Sequence, residues 1–479
     1  MAKNIMNPNK DYARWYQDVI REAELSDSAP VRGCMIIRPY GFAIWENIKA
    51  SLDRRFKDTG HSNVYFPMLI PQSFFEKEAE HVEGFAPELA VVTHGGGKKL
   101  DEPLVLRPTS ETMFNHMFSK WINSYRDLPM LLNQWANVIR WEMRPRAFLR
   151  TTEFLWQEGH TAHANEKEAR EETLRMLDVY EDFARNVAAI PVIQGRKTER
   201  EKFAGSVASY TIEAMMGNGW ALQSGTTHYL GTNFAKAFNT MYLDSSNEQK
   251  YVHQSSWGVS TRLIGGVIMV HGDENGLRLP PRLAPFQVVI VPILKDASRD
   301  ETLRTAEKIA SELKGNGIRV KLDDREGMSP GFKFNYWEVR GVPLRLEIGP
   351  RDIEEGYVML SPRNNPGRDG KFKVALDDVS GEMPGLLDKI QEEMLNEATT
   401  KLNERTYTAE SFEEFAKAIN EKPGFYSVWW DGDADDEIRL QQETKATVRC
   451  IPLDQTGGSG KCIMTGRDTI VKAILARAY

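Results

Sequence analysis

Two arginines stand in settings suited to gripping phosphate or carboxylate oxygens. The first lies in Val138-Ile139-Arg140-Trp141-Glu142, read as a strand end, followed by a loop and a second strand, Phe154-Leu155-Trp156-Gln157-Glu158-Gly159-His160. The second lies in Gly258-Val259-Ser260-Thr261-Arg262-Leu263-Ile264-Gly265, at the head of a strongly apolar stretch. A guanidinium forks two such oxygens, and a carboxylate beside it takes an amine or a metal. Alternation along a strand puts Arg140 and Glu142 on one face. Alone, Arg-x-Glu reads equally as a salt bridge on a sheet face. The second arginine block favours binding.

At 479 residues the chain is too long for one hydrophobic core, and several domains are expected. The first 280 residues mix helices and strands without strict alternation, as in an α+β domain on an antiparallel sheet. A helix is expected after Asn165, an N-cap with Glu168 three residues on, burying Leu174, Leu177, Tyr180 and Val187. Gly95-Gly96-Gly97-Lys98-Lys99 reads as a loop, and Leu279-Pro280-Pro281-Arg282-Leu283-Ala284-Pro285 as a linker. Beyond it, strand 286–293, a helix with Leu303, Ala306, Ile309 and Leu313 on one face and stopped by Gly315, strand 318–322, helix 331–340 and strand 342–348 alternate as a compact α/β unit with parallel strands. A charged helical stretch near 385–405 leads to a third unit. The expected boundaries are 1–284, 285–385, 386–405 and 406–479.

The composition, 41% hydrophobic and 27% charged, is that of a soluble globular protein. The longest apolar run, Leu263 to Val270, is far short of a membrane span, and the first residues show no apolar signal core. Cys34, Cys450 and Cys462 cannot form a disulfide framework and suit a reducing compartment, so a cytoplasmic location is expected. The net charge of −7 argues against indiscriminate polyanion binding. Residues 318–373, with 11 Lys/Arg against 9 Asp/Glu (a balance of +2), permit a local RNA contact.

The two arginine blocks, with an apolar helix Gly41–Phe56 leading to Val64-Tyr65-Phe66-Pro67, resemble the three signature motifs of the class II aminoacyl-tRNA synthetases. Further blocks sharpen the likeness: Leu106-Arg107-Pro108-Thr109-Ser110-Glu111-Thr112, Thr151-Thr152-Glu153-Phe154-Leu155-Trp156-Gln157-Glu158-Gly159-His160, and His271-Gly272-Asp273-Glu274-Asn275-Gly276-Leu277-Arg278-Leu279-Pro280-Pro281. With the terminal Tyr479, they resemble the prolyl-tRNA synthetases of archaeal and eukaryotic type, almost end to end.

That resemblance implies an antiparallel-sheet catalytic domain, an α/β anticodon-binding domain and a small C-terminal domain. It implies ATP-dependent activation of L-proline and transfer to tRNA, with Mg²⁺ accompanying ATP. Arg140 would bridge the amino-acid carboxylate and the α-phosphate, Arg262 would hold the γ-phosphate, and Glu142 would meet the adenine amine. Arg150 would touch the triphosphate or be a surface charge, and Gln223 and Thr226 would lie at the nucleotide. Proline needs acceptors for its secondary ammonium and flat apolar walls for its ring. Thr109 and Glu111, two apart in an extended segment, would supply the acceptors; as a helix start they would merely form a cap. Trp156 and Phe203 would wall the ring, unless they are plain core, and Glu158, His160 and His228 would set shape and hydrogen bonds. Glu338 and Arg351 match positions that read anticodon guanines. Pro67 matches a dimer-interface proline, so a homodimer is expected.

Two motifs fail. Gly457-Gly458-Ser459-Gly460-Lys461-Cys462 lacks two fixed positions of a phosphate loop, and His160-Thr161-Ala162-His163 lacks the metalloprotease glutamate and spacing. Many relatives bind a structural zinc through four cysteines. Here Val428-Trp429-Trp430-Asp431-Gly432-Asp433 stands in that region and Cys462 alone could serve, so no zinc is expected, with Trp429 and Trp430 as the replacement staple. The roughly 95 residues from Gly159 to Gln254 leave no room for the editing insertion of bacterial-type relatives, so clearing mischarged alanine would need a separate protein. The alternatives are a class II enzyme for threonine or serine, and a non-catalytic regulator.

Overall fold

The computed structural model describes residues 4–75, 89–455 and 457–479. Its centre is an antiparallel sheet in which Val192–Arg196, Ala208–Met215, Ala221–Gly231, His253–Ser260, Glu153–His163 and Met130–Ile139 lie side by side. Close packing sets the strand spacing at one point. A Cβ on Gly159 would lie 0.9 Å from the Trp257 ring on the neighbouring strand, so no other residue fits there.

Helices seal one face. Pro39–Asp58 starts with a proline in its first turn and buries Ile44, Trp45, Ile48, Leu52 and Phe56 at helical spacing. Glu166–Asn186 is capped by the Asn165 side chain, which accepts from the Glu168 N–H. It buries Met176, Leu177, Tyr180 and Phe183, while Leu174, expected inside, faces solvent one position off the stripe. The apolar run after Arg262 forms the helix Arg262–His271, buried almost all round.

Three local expectations change. The Gly95–Lys99 segment is the tight end of a hairpin, between strands Ala90–Gly95 and Lys98–Leu106, with Gly96 and Gly97 at positive φ. The strand before Pro67 is confined to Ser62–Asn63, ending well short of the proline. Strand Met130–Ile139 stops before Arg140, so Arg140 and Glu142 are placed by a loop rather than by strand alternation.

The second unit is a five-stranded sheet in the order Val320–Leu322, Val288–Pro292, Leu344–Ile348, Tyr357–Pro362, Phe372–Ala375. The first three strands are parallel, as expected; the last two are antiparallel and turn the sheet mixed. Val288–Pro292 is buried at every position, as a central strand covered on both faces must be. The helix Val379–Glu404 packs on this core and leads to the third unit.

The third unit does not stand apart. Its strand Thr447–Pro452 pairs with Val192–Arg196 of the first, extending the central sheet to 11 strands. Gly195 allows this approach, since a Cβ there would sit 2.5 Å from the Cys450 side chain. Trp430 is buried in this unit's core, and Trp429 lies under the Lys472 ammonium, 4.6 Å from it. No helix among the described residues is long and apolar enough to cross a membrane.

Candidate active site

Successive rungs of the central sheet build one cavity of about 300 Å³. On strand Glu153–His163, Trp156, Glu158 and His160 alternate onto the same face. Across the strands, His160, Ser256 and His228 form one rung, and Glu158, Gly258 and Thr226 the next. Trp156 and Ser260 form the third. Each rung lies about 7 Å from the last. Gln223 and Thr226, three apart, cannot share a face on a regular strand. A bulge at Ser224, between the pairs Ile212–Gly225 and Glu213–Gln223, resets the alternation and brings both to the cavity.

One end is cationic. Arg140 stands just beyond its strand, its N–H donating to the Thr152 carbonyl and its Nε to the Pro108 carbonyl at 3.1 Å. Its guanidinium lies 5.6 Å from the ring centres of both Phe154 and Trp156, which hold its plane. Arg262 donates to the carbonyls of Leu149 at 3.1 Å and Gln223 at 3.4 Å. Burial, then the charges of Arg150 and Arg140, pull its pKa down to about 10, so it remains a cation at neutral pH and an anion nearby would relieve it. Glu142 and Arg150 line an adjoining recess that shares Arg140, Phe154, Ser260 and Arg262 with the cavity. Glu142 meets Arg150 at 3.5 Å.

The other end holds buried carboxylates and rings. Glu111 opens the helix Glu111–Trp121, so the extended reading of Thr109-Ser110-Glu111 gives way to a helix start, where an acidic first-turn residue is favoured. The Ser110 hydroxyl, free of capping duty, donates to Glu158 Oε1 at 2.5 Å. Thr109 Oγ1 donates to Glu111 Oε2 at 2.5 Å, and both residues line the cavity. Glu158 also accepts from Gln134 at 2.7 Å and meets His160 Nε2 at 2.9 Å, and His160 stacks on Phe114. Glu158 thus fixes the His160 ring. Phe203 stacks on His228 at 4.6 Å, and Ser209 Oγ bonds the His228 Nδ1 at 2.8 Å. Burial pulls the pKa of His228 down to about 4, so the ring is neutral at pH 7.

The cavity therefore gathers Thr109, Glu111, Arg140, Trp156, Glu158, His160, Phe203, Gln223, Thr226, His228 and Arg262. It also takes in Phe154, Lys197, Ser209 and Ser256, which the sequence reading missed. Ser256 was legible from the alternation in His253–Ser260. Lys197 was not, since its ammonium is held by Glu213 at 2.9 Å and by the Arg449 carbonyl at 2.8 Å, far along the chain.

Glu338 and Arg351 are not brought together. Glu338 lines a recess with Trp337, Arg345, Ser361 and Arg363, beside the start of strand Leu344–Ile348. Arg351 is exposed on the short helix Pro350–Glu354 beyond the strand's other end, roughly 13 Å along it. The Tyr479 ring docks on Trp220, and its hydroxyl accepts from Asn218 at 2.9 Å. Cys462 is buried in a turn, and Cys450 is buried on the strand Thr447–Pro452, where burial pushes its thiol up to about 12. Among the described residues, no three His, Cys, Asp or Glu side chains cluster to hold a metal.

Three stretches of the chain are similar to known domains. Residues 94–271 match the class II tRNA synthetase core domain (G, H, P, S and T), 287–385 an anticodon binding domain, and 412–479 the prolyl-tRNA synthetase C-terminal domain. The chain is 53% identical to a proline–tRNA ligase of Roseiflexus sp. (strain RS-1) over 483 residues, covering 100% of both. It is 52% identical to the chloroplastic/mitochondrial proline–tRNA ligase of Arabidopsis thaliana, over 98% of this chain and 87% of that one. The crystal structure of prolyl-tRNA synthetase from Cryptosporidium parvum, complexed with halofuginone and AMPPNP, superposes with a TM-score of 0.94 at 39% identity, over 99% of each chain.

Proposed function

This chain belongs to the prolyl-tRNA synthetases of class II, and from that premise we propose how its cavity divides the work of activating L-proline with ATP and charging tRNA(Pro). The enzyme is a ligase. The observation that carries the division is the single cavity with arginines at one end and buried carboxylates at the other.

A proline carboxylate oxygen attacks the α-phosphorus of ATP, and the bond to the β-phosphate oxygen breaks, releasing pyrophosphate. The terminal ribose hydroxyl of tRNA then attacks the prolyl carbonyl and AMP leaves. Arg140, its guanidinium plane set by Phe154 and Trp156, sits where carboxylate and α-phosphate meet and stabilises the charge at phosphorus. Arg262 takes the γ-phosphate, and Arg150 the triphosphate tail from the adjoining recess. Glu142 receives the adenine amine, with Gln223 and Thr226 along the nucleotide. Thr109 and Glu111 accept from the proline ammonium. Trp156 and Phe203 flank the ring, and the neutral His228 and the fixed His160 shape its floor. Mg²⁺ would enter with ATP as part of that substrate and would help neutralise its phosphates. The third unit's two cysteines, Cys450 and Cys462, are too few for a four-thiolate zinc site, and we propose that this unit works without zinc.

We assign 1–284 to catalysis, 285–385 to the anticodon, 386–405 to a linker and 406–479 to a C-terminal domain. Glu338 and Arg351 serve as separate anticodon contacts. The archaeal/eukaryotic type without an editing insertion is supported by the 94 residues between Gly159 and Gln254. A cytoplasmic homodimer is the working state. Its seam is supported by exposed Phe42 and Tyr65, on the helix and extended segment that lead to Pro67.

Amino-acid-dependent ATP–pyrophosphate exchange with proline, alanine, cysteine, threonine and serine tests the assignment. Strong exchange with proline that is lost in Arg140→Ala is expected. Preference for another amino acid would overturn the pocket reading, and no exchange from folded protein that binds tRNA would leave a regulator.

A further inference from the structure

The helix that begins with Arg262 ends against the second unit. Arg262–His271 is ten residues, so about 15 Å of rigid helix runs from the cavity to its far end. Gly272 caps it, and Asp273 follows as a hub. The Asp273 carbonyl accepts from Trp15 Nε1 at 2.8 Å, and its Oδ1 accepts from the Asn275 N–H at 2.9 Å. Its N–H donates to the Gly276 carbonyl at 3.0 Å, closing a tight turn. Gly276, at φ +122°, lies so close to the Val339 carbonyl that a Cβ would sit 2.8 Å from it. The next residue, Leu277, donates to that same carbonyl.

Both oxygens of Asp273 are gripped from the second unit. Arg363 Nη1 donates to Oδ2 at 2.7 Å and Nη2 to Oδ1 at 2.6 Å. Arg363 is 5% exposed, and its Nε donates to the Glu338 carbonyl at 2.9 Å. It also lines the recess containing Glu338, whereas Asp273 does not. One guanidinium therefore ties the wall of that recess to the end of the helix that carries Arg262.

We propose that the Arg363–Asp273 pair is a positioning device that couples occupancy of the Glu338 recess by an anticodon base to the placement of Arg262 in the catalytic cavity. This rests on the anticodon reading of the recess given above. A base seated beside Glu338 fixes Arg363, Arg363 fixes Asp273, and the helix transmits that restraint to its first residue. A bidentate fork suits the task because it constrains orientation as well as distance.

The test uses the full-length protein with Asp273→Asn, which keeps the shape and removes the charge, and Glu338→Ala. Each is assayed for tRNA-independent ATP–pyrophosphate exchange and for charging of tRNA(Pro) transcripts with native or substituted anticodon guanines. Asp273→Asn is expected to leave exchange within twofold of the parent. It should lower kcat for the native transcript at least fivefold, and that for the substituted transcript less than twofold, so that anticodon discrimination shrinks. Equal losses in exchange and charging would make the pair merely structural and overturn the proposal. So would a raised KM for tRNA with kcat and discrimination intact. If Glu338→Ala leaves discrimination unchanged, the anticodon reading of the recess fails. If Glu338→Ala abolishes discrimination while Asp273→Asn does not, the recess stands and the coupling fails.

Discussion

The two ends of the catalytic cavity are built on opposite electrostatic plans, although they share three neighbouring strands. At one end Arg262 rests on the carbonyls of Leu149 and Gln223, surrounded by the charges of Arg150 and Arg140. At the other, Glu158 is bonded by Ser110, Gln134 and His160, and Glu111 accepts from Thr109. The first end concentrates cations and suits a polyanion that arrives and leaves. The second is pre-organised and suits a small cation with a ring. A substrate pair with phosphate at one pole and ammonium at the other fits such a cavity in one orientation only.

Changes at the junction of the two ends should cost most. Arg140→Ala is expected to lower kcat for proline-dependent exchange by about 10²- to 10³-fold, the loss seen when one donor to developing charge is removed. A smaller loss would move the reacting phosphorus elsewhere. Arg262→Lys keeps the charge but not the fork, and should raise KM for ATP by about 10- to 100-fold with KM for proline unchanged. Glu111→Gln should do the reverse, raising KM for proline about tenfold and sparing ATP.

The smallest effect is on pH. His228, at the end with the buried carboxylates, is held at about 4 by burial, so carrying the pH through 6.5 should change KM for proline by less than about twofold. Stability behaves otherwise. Burial likewise holds His163 and His271 at about 4, below their ordinary 6.5. The unfolded chain binds protons between those values that the folded chain refuses, so stability should fall as pH drops from 6.5 toward 4. Thermal unfolding across that range measures it, and an unchanged midpoint would contradict the buried, neutral rings.

What was legible in the sequence followed from local rules. Trp156, Glu158 and His160 are spaced by two and the structure keeps them on one face, and the Asn165 cap starts its helix. Gln223 and Thr226 share a face only because Ser224 bulges, and nothing in the spacing announces a bulge. The Thr109-Ser110-Glu111 segment carried helix and strand signals together, and the apolar positions that follow it decided for the helix. The partners of Lys197 were out of reach for another reason. Glu213 takes it and Arg449 together, and Arg449 arrives from a strand of the third unit that joins the central sheet at its edge. Local pattern does not encode that kind of pairing.

The separateness of the two ends is tested most directly by the double variant Glu111→Gln/Arg262→Lys beside its two parents. KM for L-proline and for ATP would be measured for each in pyrophosphate exchange. Separate ends predict that each single change moves one KM, and that the double variant shows both shifts, additive in free energy within about 0.5 kcal/mol. If Arg262→Lys raised KM for proline while leaving that for ATP untouched, or if the double variant departed strongly from additivity, the division of the cavity into a phosphate end and an ammonium end would be wrong.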